Sequence, residues 1–347
     1  MAHKRTIVTN LMKKQETFKV MALGEALRLP ILLIGPPGVA KTAAVIDFAK
    51  ARLGGTIKGA DMFLLETDEG TKSNAVKGNV DLEALTTTNK FQIKSPVTKA
   101  GVVVINEIDK ASAGLRNSLL GIMNEKILFN GDEQIDCVWE NFIATCNEIP
   151  DDEKDSPFWD RFLITHKVGR LSQSDMLAYY AKGGKAHTQT HNINVPEDAD
   201  IAGISLNPDK LKKTVDLIYK NLSDRALSFL PTLVKNVMIV WNIGEDKGFI
   251  KATELLVSKS VAKELAKSLV VKEVRELYDV IDGLGQCVSN ESYNEQYDKL
   301  ERAYAVAQAT GKLTAADNEE LKNKIAEEEA KLTFLQGEDA DVLDQFN

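Results

Sequence analysis

The chain has 347 residues, 44% of them hydrophobic and 27% charged, which excludes a disordered chain, a collagen-like fibre and a disulfide-stapled miniprotein. Its net charge of −8 gathers at the end, where residues 313–347 hold three lysines against ten acids. The rest is close to neutral, so bulk charge gives no reason to expect a nucleic-acid partner.

The apolar runs are too short to cross a bilayer, and the opening MAHKRTIVTN has no apolar segment of signal-peptide length. Cys137, Cys146 and Cys287 are widely spaced, lack a CxxC pair, and fit a reducing cytoplasm better than a zinc ribbon. The expectation is a cytoplasmic protein with no membrane contact.

In chain order, the first half alternates short apolar runs with helical patterns, as an α/β fold does. Leu29–Ile34 reads as a strand, Ala43–Leu53 as a helix and Met62–Leu65 as a second strand. The unbroken β-branched run Val102–Ile105 fits a strand covered on both faces. Leu115–Asn124 is an amphipathic helix, and Asn141–Cys146 a further strand. In an open parallel sheet, ligands bind where such strands end in polar residues.

The pattern changes near Arg170. Ser172 and Asp175 form a capping-box pair, with Leu171 and Met176 as a hydrophobic staple, and Gly183-Gly184 should end that helix. Asn207-Pro208 starts another, with Leu211, Val215 and Ile218 on one face. Ser223 caps a third, which Pro231 should kink or interrupt. From there the chain reads as helix, with a break expected at Gly283 and Gly285. Tyr293, Tyr297, Leu300, Tyr304 and Ala307 form a helix-packing seam. A last helix is expected from Thr314 to Leu335, and residues 337–347 should be a disordered acidic tail.

Gly35-Pro36-Pro37-Gly38-Val39-Ala40-Lys41-Thr42 joins a strand to a helix, the setting of a phosphate-binding loop. Glycines let the backbone curl around a phosphate, and the helix N-terminus running on through Ala43 adds partial positive charge. Lys41 would reach the β- and γ-phosphates of ATP, and the Thr42 hydroxyl would bind Mg²⁺. Ala40 stands where the strict loop pattern asks for glycine; one methyl should leave the loop intact.

Val102–Asp109 (VVVINEID) is the matching second half. Glu107 fits the group that polarises the attacking water. Where an acid is expected in the magnesium shell stands Asn106, whose amide oxygen can accept a hydrogen bond from a magnesium-bound water but carries no charge. Weaker Mg²⁺ affinity or slow turnover is therefore expected. Asn147 ends the strand Phe142–Cys146 and would position the water if that strand lies between the two motif strands. Arg161, among aromatics in SPFWDRF, could be held out toward a neighbour. Arg225, in the first turn of a helix, opposes the dipole unless an anion compensates. His187 and His191 lack a third ligand and do not make a metal site.

These segments resemble an AAA+ ATPase of the MoxR branch, including RavA-like proteins. GPPGVAKT, VVVINEIDKASAGLRNSLLGIMNEK, FIATCNEIP, SPFWDRF and LSDRA occur in the family's order across about residues 20 to 230. The resemblance implies a P-loop core with a central parallel sheet over residues 1–170 and an all-helical lid over 171–256. Residues 257–336 would then be a helical C-terminal extension. Gly78–Ala100 looks like the place of the branch's extra hairpin. By resemblance Glu107 is the catalytic glutamate, Asn147 the first sensor, Arg161 the finger reaching the next subunit's ATP, and Arg225 the second sensor.

The resemblance also implies a ring, commonly a hexamer, with ATP between subunits. It implies a chaperone role toward a partner that often carries a von Willebrand factor A domain. Two other readings stay open: a nucleotide-gated scaffold that hydrolyses little, motivated by Asn106, and a motor acting on nucleic acid.

Overall fold

The computed structural model describes residues 2–57, 61–80, 93–130, 133–150, 156–181, 188–197, 206–257, 259–269, 277, 279–281, 283–284, 290–309, 319 and 321–326. In chain order the elements are β1 (Ala2–Thr9), α1 (Gln15–Leu27), β2 (Pro30–Ile34), α2 (Lys41–Arg52), β3 (Met62–Glu66), α3 (Asn74–Lys77), β4 (Asn79–Val80), β5 (Ile93–Lys94), β6 (Val102–Asn106) and α4 (Ala113–Asn124). They continue with β7 (Ile127–Asn130), β8 (Glu133–Asp136), β9 (Asn141–Cys146), β10 (Ile164–Lys167), α5 (Gln173–Ala181) and β11 (Gln189–Pro196). The remainder is helical: α6 (Pro208–Ile218), α7 (Asp224–Trp241), α8 (Glu245–Leu256), α9 (Lys259–Leu269) and α10 (Asn290–Ala309).

The fold is an α/β core with a central five-stranded parallel sheet, ordered β10-β2-β9-β6-β3, followed by a helical region. All residues of β6 and β9 are buried, as the apolar run of the first and its place in mid-sheet require. β9 therefore lies between the two motif strands β2 and β6, which sets Asn147 at the same edge as the phosphate loop. Thr145 lies deeper on β9, opposite Leu33, and faces the end of β6.

β4 and β5 pair antiparallel within Gly78–Ala100, where an extra hairpin was expected; the residues between them, 81–92, lie outside the described residues. The capping box forms: the Asp175 amide donates to Ser172 Oγ at 3.1 Å, and the Ser172 backbone amide donates to Asp175 Oδ2 at 3.4 Å. Asn207 caps α6 by accepting from the Asp209 and Lys210 amides.

Several expectations need correcting. The region 171–256 is not wholly helical, because β11 pairs antiparallel with β1, from Ala2↔Pro196 to Thr9↔Gln189. Ile7, Ile193 and Val195 are the apolar residues this small sheet buries. Helix α7 runs unbroken from Asp224 to Trp241 with Pro231 inside it. Gly283 is itself helical. The hairpin β7–β8 was not foreseen. Gly183-Gly184, Gly285, His187 and the tail 337–347 lie outside the described residues, as does most of the expected last helix.

Contacts divide the chain into two units, Met1–Ala262 and Lys263–Asn347. The second has its own core of Leu277, Ile281, Leu284, Tyr293, Leu300, Ala307 and Leu321. Tyr293, Leu300 and Ala307 are the seam read from the sequence, and the Tyr293 and Tyr297 rings stack at 6.0 Å.

Candidate active site

The phosphate loop leaves β2 at Gly35, whose amide donates to the Cys146 carbonyl at 3.2 Å. A Cβ at Gly35 would collide with the Val168 carbonyl oxygen, so only glycine fits this crossing. Gly38 has φ +83°, open to glycine without strain. Ala40 is also left-handed, at φ 60° and ψ 39°. Its methyl is tolerated there at a cost of about 1–2 kcal/mol. No side chain caps α2, so its first amides are left for an anion.

Lys41 is buried, and its Nζ donates to the Gly35 carbonyl, to the Pro36 carbonyl at 3.2 Å and to Asn147 Oδ1 at 3.2 Å. Burial lowers its pKa, while Cys146, Asp109 and Glu107 pull the other way. Burial pushes the Cys146 thiol up to about 12, so at neutral pH the two carboxylates are the charges that act on Lys41. Val39 is buried and anchors the loop, Thr42 is half-buried at the start of α2, and Ala43 is exposed.

At the end of β6, Asn106 is 1% exposed and both ends of its amide are engaged. Its Oδ1 accepts from the Thr145 hydroxyl at 3.1 Å and its Nδ2 donates to Glu66 Oε1 at 2.8 Å. Glu107 turns left-handed at φ 55°, an uncommon conformation for a residue with a side chain. Its amide donates to Thr145 Oγ1 at 3.3 Å and its carbonyl accepts from Thr67 Oγ1 at 2.6 Å. The strained turn throws the Glu107 carboxylate outward, where Lys110 Nζ donates to it at 2.7 Å.

Asp109 follows on the same turn. Its Oδ2 accepts from the Asn147 amide at 3.4 Å, and its carbonyl accepts from an Arg116 guanidinium nitrogen at 2.8 Å. Its Oδ1 is buried with no hydrogen-bond partner among the described residues. Asp109, Thr145 and Glu66 were not singled out from the sequence. Asp109 was visible there only as the last letter of VVVINEID.

The aromatic segment packs Phe158, Trp159 and Phe162 together, with the Arg116 guanidinium over the Phe158 and Trp159 rings at 5.7 and 5.5 Å. Arg161 pairs with Asp160 at 3.3 Å, and its Nε is buried without a partner among the described residues. Arg225 donates to Asn124 Oδ1 at 3.3 Å, at the C-terminal end of α4. Burial and then the charge of Arg161 lower the Arg225 pKa, while Asp160 and Glu125 pull the other way.

A cleft of about 460 Å³ opens between Met12, Lys13, Gln15, Glu16, Gln189 and His191. It lies at the start of α1. Thr17, in that first turn, is hydrogen-bonded to His166 on β10 at 3.3 Å, which places the cleft on the carboxyl edge of the sheet. His191 Nε2 is buried without a partner among the described residues, and burial lowers its pKa. The signal for this cleft was absent from the sequence because β1 and β11 were not recognised.

The family model for the MoxR domain in the MoxR-vWA-beta-propeller ternary systems matches residues 2–205. The chain belongs to the MoxR family of AAA+ ATPases. This MoxR chain is 24% identical over 205 residues to the uncharacterized protein MJ0079 of Methanocaldococcus jannaschii, covering 56% of the chain and 52% of that protein. It is 30% identical over 145 residues to the structural protein ORF618 of Acidianus two-tailed virus, covering 41% of the chain and 23% of that protein. It thus spans about half or less of the length of these curated relatives. A crystal structure of a proposed ATPase from Cytophaga hutchinsonii aligns with a TM-score of 0.49 at 16% identity, over 73% of this chain and 80% of that one.

No single helix among the described residues is long and apolar enough to cross a membrane. Nor do those residues hold a cluster of three or more His, Cys, Asp or Glu side chains suited to a metal.

Proposed function

We propose that this MoxR chain binds ATP with magnesium at the carboxyl edge of its sheet and hydrolyses it between the subunits of a ring, probing or remodelling a partner protein. The observation that carries the proposal is the meeting of Lys41, Asn147, Asp109 and the uncapped start of α2 at one sheet edge. That set offers a cation and free amides to a phosphate chain and a carboxylate to a divalent ion.

In this reading Gly35, Pro36, Pro37, Gly38, Val39, Ala40, Lys41, Thr42 and Ala43 wrap the phosphates. Lys41 leaves its carbonyl partners for the phosphate oxygens. The cleft beside His191 takes the base. Thr42 and the acidic turn after β6 would hold Mg²⁺, which supplies neutralisation of the charge that builds on the phosphate oxygens. An orphaned buried carboxylate oxygen at this edge fits such an ion.

Glu107 takes the proton from the attacking water, and Asn147 holds that water in line with the γ-phosphorus. The oxygen–phosphorus bond to ADP then breaks, releasing phosphate. To act as base, Glu107 must first part from Lys110. The charge of Arg161 acts on Arg225 with Asp160 partly offsetting it, and one phosphate of an adjoining copy would compensate both cations. Arg225 is therefore assigned to the neighbour's nucleotide along with Arg161.

The partner is proposed to carry a von Willebrand factor A domain, because the matched family is described from systems that pair the two. A cytosolic setting suits the buried thiols Cys137 and Cys146. The test is steady-state ATP hydrolysis against protein concentration. Specific activity that rises with concentration toward a plateau is expected from a site completed in trans; a flat, concentration-independent rate rejects the ring.

A further inference from the structure

We propose that Asp109, and not Asn106, is the residue whose charge holds the magnesium water shell in this site. The proposal rests on the nucleotide-binding reading above and concerns which side chain of that site faces the metal.

Asn106 stands where an acid is expected, yet it is spent inside the sheet. It is almost fully buried, its oxygen accepts from Thr145 and its nitrogen donates to Glu66. Facing a metal would break both bonds and leave the Glu66 carboxylate without that donor. Asn106 is thus a strut between β3 and β9. Glu107 is separately committed: its backbone is fixed by Thr145 and Thr67, and its carboxylate meets Lys110.

Asp109 is the remaining acid of the turn, and it is incompletely used. One carboxylate oxygen accepts a long bond from the Asn147 amide, and the other is buried without a hydrogen-bond partner among the described residues. A buried carboxylate oxygen without a donor is costly unless a cation or a water bound to one completes it. The Asn147 side chain in turn accepts from Lys41, so Asp109 stands one residue away from the phosphate-binding lysine. Its field at Lys41 exceeds that of Glu107.

Magnesium keeps several of its waters and is commonly held through one or two carboxylates plus substrate phosphates. It therefore needs no cluster of three acidic side chains. One orphaned carboxylate oxygen, linked to Lys41 through Asn147, supplies what Asn106 lacks. Asp109→Asn removes the charge while keeping an oxygen to accept from the Asn147 amide.

The test is calorimetric titration of ADP into the full chain, with and without Mg²⁺, for the parent, Asp109→Asn and Asn106→Ala. Electron paramagnetic resonance of Mn²⁺ in place of Mg²⁺ gives a second count of bound metal. In Asp109→Asn the tightening of ADP by Mg²⁺ is expected to fall by about tenfold or more, with metal-free ADP affinity held within about twofold. In Asn106→Ala the Mg²⁺ effect is expected to survive. Asp109→Ser gives the same reading if the amide variant does not fold. An undiminished Mg²⁺ effect in the Asp109 variants, or its loss in Asn106→Ala alone, overturns the assignment while leaving nucleotide binding intact. Failure of the parent to take up ADP with or without metal overturns the nucleotide reading itself.

Discussion

Lys41 Nζ donates to Asn147 Oδ1 across 3.2 Å, joining the phosphate loop after β2 to the end of β9. The bond is possible because β9 pairs with β2 in parallel register, Ile34 opposite Cys146. In the proposed reaction, a phosphate chain entering the loop would compete for Lys41 and free the Asn147 side-chain amide to hold water. Asn147→Ala should therefore lower kcat about 10- to 100-fold through lost positioning, with KM changed much less. Steady-state kinetics over an ATP series separates the two; a change confined to KM would make Asn147 a binding residue only.

Glu107→Gln keeps the size of the side chain and removes the carboxylate proposed as the base. Turnover should fall by at least about 10²-fold while ATP is still bound. Phosphate release and ATP binding measured on the same sample check both halves. Unchanged turnover would remove Glu107 from the chemistry.

Arg161→Ala and Arg225→Ala are each expected to abolish most hydrolysis without preventing nucleotide uptake. If both arginines serve a neighbouring copy, mixing either variant with Lys41→Ala should recover part of the activity, since one mixed interface holds an intact set. No recovery on mixing, for a pair that still assembles, would place the arginines in their own subunit's site.

Asn106→Asp would set a second carboxylate against Glu66 Oε1, which now accepts from the Asn106 amide at 2.8 Å. The loss should be about 1–3 kcal/mol of stability at neutral pH. Like-charge contact raises the folded-state pKa of such a pair, so the folded chain then binds more protons than the unfolded one. Stability of the variant relative to the parent should therefore recover on acidification and worsen as pH rises from about 4, the ordinary carboxylate range, toward neutrality. Denaturant melts at several pH values read this directly.

The legibility of this site followed from strand ends. Leu29–Ile34 leads into GPPGVAKT and Val102–Ile105 into the polar end of VVVINEID, and the parallel sheet set both turns at one edge. β1 and β11 were missed because AHKRTIVT and QTHNINVP are mostly polar, and only their mutual pairing buries Ile7, Ile193 and Val195. The cleft beside His191 went with them. The partners that engage Asn106, Glu66 and Thr145, were not legible because they sit on neighbouring strands about 40 residues away in the chain. Pro231 was expected to kink or interrupt its helix, and α7 is not interrupted there, with Leu230, Leu233, Val234 and Val237 buried. Burial of that face outweighs one missing backbone donor.

Burial pushes the Cys137 thiol up to about 11 and the Cys146 thiol up to about 12. Both should resist a thiol reagent at pH 8 in the folded chain and react once it is unfolded. The sign for stability follows: the neutral thiols are fully favourable below the ordinary value of 9.0, and their contribution is lost as pH rises through the folded values. Mass spectrometry of labelled peptides checks the first point, and ready labelling of Cys146 in the native chain would contradict its burial.

The most direct measurement is calorimetric titration of ADP and Mg²⁺ into the full chain and into Lys41→Ala. Saturable uptake by the parent, weakened about 10- to 100-fold by loss of the charged contact, is the expected result. Absence of uptake by the parent, or equal affinity in the two proteins, would contradict a phosphate site built around Lys41.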